Sequence, residues 1–160
     1  MRHPADGTPG MHVERCTRDT LGDWVRMRRA LWPEASLAVH RSEAEALLDS
    51  DRTVACLARS PGAEWIGFAE AVLRQDHVNG CETSPVAFLE GLYVRSDWRR
   101  RGVARLLVRS IIDWAAAQGC RELASDALID NLVSQRMHMA LGFEETERVV
   151  CYRRVLGPSG

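Results

Sequence analysis

Residues Val86–Ala104 read VAFLEGLYVRSDWRRRGVA and join an apolar strand pattern to a basic loop and the start of a helix. The apolar run predicts a strand over Val86–Val94, and Gly91 inside it indicates a β-bulge or a close approach of the backbone. The amphipathic pattern that follows predicts a helix over Val103–Gln118. Backbone N–H groups at the start of a helix have no intrahelical partners, and the helix dipole is positive there. Gly102 and its neighbours therefore form a candidate anion site.

The loop between this strand and this helix is strongly basic. Residues 95–105 contain one acid, Asp97, and five arginines: Arg95, Arg99, Arg100, Arg101 and Arg105. A nucleotide pyrophosphate suits this charge, although the loop lacks both the GxxxxGK[ST] pattern of a P-loop and the GxGxxG pattern of a dinucleotide-binding fold. The whole chain has a formal net charge of −1, which argues against a nucleic-acid-binding protein.

Outside this stretch, strand and helix patterns alternate along the chain. Further strands are predicted over Met11–Cys16, Thr53–Arg59, Glu64–Leu73, Cys120–Ser125 and Glu145–Val155. Helices are predicted from a cap at Thr20 to Leu31, over Ser42–Leu48 and over Asn131–Leu141. These patterns predict one α/β domain over residues 11–155, with a flexible N-terminal extension over residues 1–10 and a frayed tail over residues 156–160.

The composition is that of an ordinary globular protein. Of the 160 residues 46% are apolar and 27% are charged, which excludes the disordered class. No apolar run reaches the roughly 18 residues of a membrane span, and the N-terminal segment has no apolar signal-peptide core, so we expect a cytoplasmic protein without a membrane partner. The five cysteines form no CxxC pair, which predicts reduced thiols and no metal site.

Two segments resemble the signatures of the GCN5-related N-acetyltransferases (GNAT). Arg99–Ala104, RRRGVA, is similar to the (Arg/Gln)-x-x-Gly-x-(Gly/Ala) motif and stands, like it, between a strand and a helix. Asn131–Phe143 resembles the second signature in its asparagine, its small residue and its Gly-Phe pair, but His138 stands where tyrosine is usual. Further segments look like those of aminoglycoside 6′-N-acetyltransferases, namely Leu31–Glu34, His77–Val86, Phe88–Gly91, Ala124–Asp126 and Leu141–Glu147.

The resemblance implies the GNAT fold, a mixed central sheet flanked by helices, in which two splayed parallel strands form a wedge for acetyl-CoA. It implies acetyl-CoA as cosubstrate and no metal. The implied contacts are the backbone of Leu92, Tyr93 and Val94 to the pantetheine arm, the N–H groups of Arg99, Arg100, Arg101, Gly102, Val103 and Ala104 to the pyrophosphate, and Asn131 to the arm.

The resemblance also implies transfer of the acetyl group to the 6′-amine of an aminoglycoside, a polycation that this reaction inactivates as an antibiotic. The implied acceptor contacts are Trp32, His77, Glu90, Asp126 and Glu147. An ammonium must lose a proton before it attacks the thioester, and either Glu90 or Asp126 would take it, directly or through water. The bulge after Glu90 would aim the N–H of Leu92 at the oxyanion. His138 either protonates the departing thiolate or only packs on its helix.

Acidic residues are concentrated in the C-terminal part of the chain. From Glu122 to Glu147 six acids stand against one arginine, which suits a cationic acceptor, although Glu122, Asp130 and Glu144 are interpreted as solvated helix ends. Charge does not distinguish an aminoglycoside from a polyamine or a protein amine, and a non-catalytic module that binds CoA or aminoglycoside also stays open. A homodimer is expected from the resemblance, with the strand Glu145–Val155 as a participant.

Overall fold

The computed structural model of the protein describes residues 10–157. Two compact units make up the chain, Met1–Asp126 and Ala127–Gly160. The predicted flexible extension over residues 1–10 lies outside the described residues except for residue 10, and the predicted frayed tail over residues 156–160 does so from residue 158 onward. One domain over residues 11–155 stays a prediction.

The first unit is built on a five-stranded mixed sheet. Its elements in chain order are β1 (His12–Arg15), α1 (Leu21–Leu31), α2 (Leu37–Leu48), β2 (Thr53–Arg59), β3 (Trp65–Arg74), β4 (Val86–Val94), a 3-10 helix (Ser96–Trp98), α3 (Val103–Ala117) and β5 (Leu123–Ala124). The strands lie in the order β1-β2-β3-β4-β5. The first three pairs are antiparallel, and β4 and β5 are parallel. The sheet is therefore mixed, as predicted.

Successive side chains of β3 meet different helices on the two faces of the sheet, as the two-residue period of a strand requires. Phe68 is buried in a cluster with α1 and α2 that includes Trp24 and Ala44. Gly67 faces α3, because a Cβ built on it would lie 3.3 Å from Cδ1 of Leu107 and 2.5 Å from the carbonyl oxygen of Tyr93. The absence of a side chain at Gly67 therefore allows α3 and β4 to pack closely.

A β-bulge interrupts β4 at Glu90. Across the β3–β4 pair Glu70 is opposite Gly91, whereas Ala71 is opposite Leu89, so Glu90 is the extra residue. A bulge leaves its extra residue without a ladder partner and bends the strand locally. The prediction of a bulge from the Glu90-Gly91 pair is thus confirmed.

The parallel pair of β4 and β5 is short. It joins Ala87 to Leu123 and Phe88 to Ala124, and Ser125 then donates its hydroxyl hydrogen to the carbonyl oxygen of Leu89 at 3.2 Å. Among the described strand pairings, β4 continues from Gly91 with β3 alone. The two parallel strands therefore separate just before the bulge.

The second unit contains α4 (Leu132–Ala140), followed by residues 143–157 without regular secondary structure. The side-chain oxygen of Asn131 accepts from the N–H of Ser134 at 3.1 Å and caps α4. The predicted strand Glu145–Val155 is wrong for this structure. Its apolar run Val149–Tyr152 is typical of a strand, but a strand requires hydrogen bonds to a neighbour, and this segment forms no ladder within the described chain.

Two other predicted elements have a boundary that differs from the structure by more than one residue. The helix predicted over Ser42–Leu48 begins five residues earlier at Leu37, because the hydroxyl of Ser36 accepts from the N–H of Val39 at 3.2 Å and caps the helix there. The strand predicted over Cys120–Ser125 shortens to two residues, because its partner β4 accompanies it no further. Thr20 does precede α1, but its side chain makes no capping hydrogen bond.

Several chemical features of the described residues bear on the class of protein. All five cysteines are free thiols. Between residues 10 and 157 no three His, Cys, Asp or Glu side chains cluster as a metal ion would require. No helix of this part of the chain is long and apolar enough to cross a membrane.

Candidate active site

The loop before α3 has the backbone geometry of an anion cradle. Arg100 has a φ of +58° and Gly102 a φ of +84°, so two residues in this short loop are left-handed. Such turns point successive N–H groups in one direction, and here the unbonded N–H groups of the first turn of α3 follow them. A Cβ built on Gly102 would meet no described atom within 4 Å, so the space in front of the backbone is open.

The arginines of this loop make different contacts. Nε of Arg99 donates to the carbonyl oxygen of Val94 at 3.1 Å, which fixes the loop to the end of β4. The guanidinium of Arg101 lies 5.0 Å from the ring centroid of Trp98. Arg95 pairs with Asp97 at 2.6 Å, and its charge is thereby partly neutralised. The predicted basic loop is present, and three of its arginines are held by β4 or by other residues of the loop.

The backbone of β4 beyond the bulge has an edge where an extended ligand could bind. Leu92, Tyr93 and Val94 pair with β3 on one side. On the other side the described pairing with β5 has already ended at Phe88. An extended chain can add to such an edge through main-chain hydrogen bonds. The edge also leads directly into the cradle, because Arg99 bonds to Val94.

Glu90 lies at this bulge with an exposed carboxylate. Its Oε1 is 2.9 Å from Nη2 of Arg74, and both side chains are 41% exposed. Glu90 is also near enough to Glu70 for the two negative charges to interact. The bulge thus presents a carboxylate that is held by one arginine and repelled by a buried acid.

Trp32 follows α1 and is half-buried beside the bulge. Its indole packs against the core that contains Phe68, with ring centroids 6.2 Å apart. The backbone carbonyl of Trp32 accepts from Nε2 of His40 at 2.9 Å, and the two rings are stacked. A Cβ built on Gly91 would lie 2.5 Å from the indole. Trp32 is therefore both a core residue and a neighbour of the candidate site.

His77 lies exposed on the loop between β3 and β4, which Glu122 fastens to the start of β5. The Glu122 carboxylate accepts from the N–H groups of Thr83 at 2.7 Å and Glu82 at 3.0 Å, and also from the hydroxyl of Thr83. These hydrogen bonds, that of the Thr83 hydroxyl first, lower the pKa of Glu122. The interpretation of Glu122 as a solvated helix end is wrong, because it binds a loop instead.

Asp126 is exposed and is the second residue after β5. The preceding residue, Ser125, bonds to the carbonyl oxygen of Leu89, and the residue after Leu89 is Glu90. This hydrogen bond therefore joins the two residues that directly precede the candidate carboxylates Glu90 and Asp126.

The second unit carries the remaining candidates. Asn131 is engaged as the cap of α4, and Glu147 is exposed in the segment that follows. Nδ1 of His138 lies 2.7 Å from the carbonyl oxygen of Ser134. A carbonyl oxygen only accepts, so Nδ1 carries the hydrogen, and Nε2 of the neutral ring is an acceptor. The ring also packs edge to face on Phe143, with centroids 5.2 Å apart.

A profile of the acetyltransferase (GNAT) family matches residues 23–143. The chain belongs to this family. It is 52% identical over 142 residues to an aminoglycoside N(6′)-acetyltransferase type 1 of Serratia marcescens, which covers 89% of this chain and 97% of that protein. The corresponding protein of Salmonella typhimurium strain LT2 is 44% identical over 144 residues and covers 90% of this chain and 99% of the other.

Solved structures agree with this assignment. AAC(6′)-Iy in complex with the bisubstrate analog CoA-S-monomethyl-acetylneamine superposes with a TM-score of 0.87 at 42% identity, covering 91% of this chain and 99% of that one. AAC(6′)-Ih from Acinetobacter baumannii gives a TM-score of 0.88 at 42% identity, with coverage of 92% and 100%. The predicted GNAT membership and GNAT fold are confirmed.

Sequence reasoning missed a buried ion pair beneath the GNAT site. Nη1 of Arg28 donates to both carboxylate oxygens of Glu70, at 2.5 and 2.7 Å, and Nε1 of Trp24 donates to the same carboxylate at 3.0 Å. The guanidinium also lies 5.0 Å from the ring centroid of Trp32. Burial raises the pKa of Glu70, and Arg28 and Trp24 oppose this rise.

A local signal for this pair does exist in the sequence. Arg28 follows Trp24 by four residues on the apolar side of a helix, and Glu70 stands inside an apolar strand. Each position taken alone predicts a charged side chain at a buried site. Burial of a charge costs free energy unless the charge is paired. Each residue therefore predicts a buried charge that needs a partner, and only the fold decides which residue that partner is.

Proposed function

We propose that this chain transfers the acetyl group of acetyl-CoA to the 6′-amino group of aminoglycoside antibiotics and so confers resistance to them. The observation that carries the proposal is the 52% identity to the Serratia marcescens aminoglycoside N(6′)-acetyltransferase over 97% of its length. The complex of AAC(6′)-Iy with an analog that joins CoA to acetylneamine supports both substrates. The alternatives, acetylation of another amine or binding without turnover, have no comparable support.

In this proposal acetyl-CoA binds along the open edge of β4. The N–H groups of Arg99–Ala104 hold its pyrophosphate, because two left-handed residues and a helix start provide donors and positive potential there. The backbone of Leu92–Val94 binds the pantetheine arm as an added strand would. Asn131 contacts the arm through its amide nitrogen, since its oxygen already caps α4.

The acceptor binds at the carboxylates beside the bulge. Glu90 and Asp126 attract the ammonium groups of the aminoglycoside, and one of the two accepts the 6′ proton directly or through water. Trp32 provides an aromatic wall next to Glu90. The remaining contacts in the proposal are His77 and Glu147.

The free amine then attacks the thioester carbonyl, forming a C–N bond and an oxyanion. The N–H of Leu92 stabilises this oxyanion. Collapse of the intermediate breaks the C–S bond and releases the CoA thiolate, which takes up a proton. His138 can supply that proton from Nε2 only as the imidazolium, because Nδ1–H is already donated to the Ser134 carbonyl.

An assay of CoA thiol release tests the proposal with three acceptors in parallel: kanamycin, the 6′-hydroxyl aminoglycoside paromomycin, and spermidine. Turnover with kanamycin and none with paromomycin is expected, because only the first offers a 6′-amine. Turnover with spermidine alone would identify a polyamine, and not an aminoglycoside, as the acceptor. Absence of turnover with all three acceptors would favour a non-catalytic module that binds CoA or aminoglycoside.

A homodimer and a cytoplasmic location belong to the same proposal. The segment after α4 exposes apolar side chains that include Val150, Tyr152 and Val155, and a second copy could supply the strand partner that the segment lacks within the described chain. Five free cysteines suit the reducing cytoplasm. Light scattering at working concentration tests the dimer, and a monomeric mass would exclude it.

A further inference from the structure

Arg74 is held against the candidate acceptor carboxylate by two contacts. It ends β3, and its Nη2 is 2.9 Å from Oε1 of Glu90. Its guanidinium carbon also lies 3.6 Å from the ring centroid of Phe88. The sequence analysis assigned no role to this arginine.

The β3–β4 register explains why the side chain reaches both groups. Arg74 is opposite Val86, so Phe88 is its diagonal neighbour on β4, within reach of a long side chain. The ring of Phe88 is buried in a cluster with Val78 and Val86 and cannot easily move. Contact with this ring orients the guanidinium, and Arg74 places its Nη2 against Glu90.

A second carboxylate near Glu90 adds to the negative charge that Arg74 faces. The buried carboxylate of Glu70 is close enough to Glu90 for the two to repel each other. Arg28 is bound to Glu70, whereas Arg74 is the described cation in contact with Glu90. Arg74 thus compensates the Glu90 charge in the empty site.

We propose that Arg74 is the resident counter-ion of Glu90 and that an ammonium group of the acceptor takes its place. This inference rests on the proposed function, in which Glu90 binds the acceptor. An arginine stays protonated at every working pH, so two cations would share one carboxylate if Arg74 stayed in contact. The incoming ammonium therefore competes with Arg74 for the charge of Glu90, and acceptor affinity is lower than Glu90 alone would give.

The test is the dissociation constant of kanamycin, measured by titration calorimetry on the full chain in the presence of CoA. Arg74→Gln is expected to tighten binding by about fivefold, the equivalent of about 1 kcal/mol for an exposed pair. Arg74→Met keeps the aliphatic stem over Phe88 and is expected to do the same. Because binding is measured rather than turnover, Glu90→Gln can be titrated even if it is inactive.

Two comparisons isolate the effect. Arg52→Gln removes the same charge close by, since Arg52 donates to the carbonyl of Leu73, and it is expected to leave the dissociation constant unchanged. In a Glu90→Gln background, Arg74→Gln is expected to have no effect, because there is no longer a charge to release.

The outcomes separate this inference from the proposed function. If Glu90→Gln weakens kanamycin binding but neither Arg74 variant strengthens it, the counter-ion role is wrong and the acceptor role of Glu90 stands. If Glu90→Gln binds kanamycin as the unchanged chain does, both roles are wrong. If Arg52→Gln tightens binding as much as Arg74→Gln, the gain comes from net charge, and the proposal is overturned.

Discussion

The indole of Trp32 lies directly against Gly91. A Cβ built on Gly91 would fall 2.5 Å from Cη2 and 3.0 Å from Cζ2 of the indole, and 3.4 Å from Cγ of Glu70. The residue before Gly91 is Glu90, the extra residue of the bulge. One close contact therefore connects the aromatic wall, the buried ion pair and the candidate acceptor carboxylate.

Gly91→Ala is the direct test of this contact. The added methyl group has to displace Trp32 or the strand, which is expected to cost about 1–3 kcal/mol of stability, as overpacking of a core does. It is also expected to raise the KM for kanamycin severalfold, with a smaller effect on the KM for acetyl-CoA. Steady-state kinetics and urea unfolding measure the two effects.

Gly22→Ala is the matched control for Gly91→Ala. Gly22 lies in α1, and a Cβ there would have as its nearest neighbour the flexible end of Arg26 at 3.8 Å. Alanine in a helix is favoured over glycine by about 0.5–1 kcal/mol, so this variant is expected to be more stable with unchanged kinetics. Equal kanamycin KM values for the Gly91→Ala and unchanged chains would exclude Trp32 as a wall of the acceptor site.

Removal of one partner from the pair of Arg28 and Glu70 is expected to destabilise the first unit strongly. The side chains are 5% and 8% exposed, so removal of one partner leaves a buried charge. Arg28→Met is expected to lower the free energy of unfolding by about 3–5 kcal/mol, and a second change, Glu70→Leu, is expected to restore much of it. Urea unfolding of both variants measures this coupling.

An exposed ion pair provides the comparison. Arg41 and Glu45 are four residues apart on α2 and about half exposed. Arg41→Gln is therefore expected to cost less than about 0.5 kcal/mol. A similar loss for Arg28→Met would show that the buried pair is not a determinant of stability.

Sequence patterns predicted best the strands that form long apolar runs. The ends of β2 and β4 were predicted to the residue, and the bulge followed from a glycine after a glutamate in an apolar run. The local pattern was insufficient where a strand depends on a neighbouring strand. Glu145–Val155 contains an apolar run as a strand does, yet it has no partner in the described chain, and β5 ends where β4 leaves it.

The candidate site was predictable as a set of residues but not as a network of contacts. Arg28 and Glu70 are 42 residues apart in the chain, and only the fold brings the two buried charges together. Glu122 and Thr83 are likewise 39 residues apart. When two polar partners are so far apart in the chain, the local hydrophobic pattern gives little indication that they pair.

The anion cradle can be tested with two glycines that flank the same helix. Gly102 before α3 and Gly119 after it have φ values of +84° and +80°, and a Cβ on either would meet no described atom within 4 Å. Replacement by alanine is expected to cost about 1 kcal/mol of stability at each, because both backbones are left-handed. The two substitutions therefore impose similar local strain, one before the start of α3 and the other after its end.

Only Gly102→Ala is expected to affect the cosubstrate. A distorted cradle loses about one charge-assisted hydrogen bond to the pyrophosphate, and the KM for acetyl-CoA is expected to rise about tenfold. Gly119→Ala is expected to leave it unchanged. Equal acetyl-CoA KM values for the two variants would place the pyrophosphate away from the start of α3.

Glu122 is expected to make stability depend on acid pH. Its pKa is lowered from the ordinary 4.5 by its hydrogen bonds from Thr83 and Glu82. A carboxylate with a depressed pKa stabilises the fold fully above its ordinary pKa and loses that contribution as the pH falls through the depressed value. Urea unfolding at a series of pH values below 4.5 is therefore expected to show a shallower loss for Glu122→Gln than for the unchanged chain.

The exposed Glu34 supplies the control for this titration. Glu34→Gln makes the same chemical change and is expected to keep the pH dependence of the unchanged chain. Because Glu122 also fastens the loop that carries His77, Glu122→Gln is expected to raise the KM for kanamycin. A pH dependence that Glu122→Gln leaves intact would contradict the role of Glu122 as a loop clamp.

His138 is the candidate acid whose protonation state the structure constrains. Because Nδ1–H is donated to the Ser134 carbonyl at 2.7 Å, the neutral ring has a lone pair at Nε2 and no proton to give from it. If His138 protonates the thiolate from Nε2, the imidazolium is the form that supplies the proton. His138→Ala is then expected to lower kcat about tenfold or more, within the usual range for a general acid, and to change kanamycin binding much less.

His138→Phe separates this role from simple packing on α4. It keeps the edge-to-face contact with Phe143 but cannot transfer a proton, so it is expected to be as slow as His138→Ala. Full activity in His138→Phe would mean that the ring only packs. In that case the thiolate takes its proton from water, which is chemically reasonable because a thiolate is a good leaving group with a conjugate-acid pKa of about 8.5.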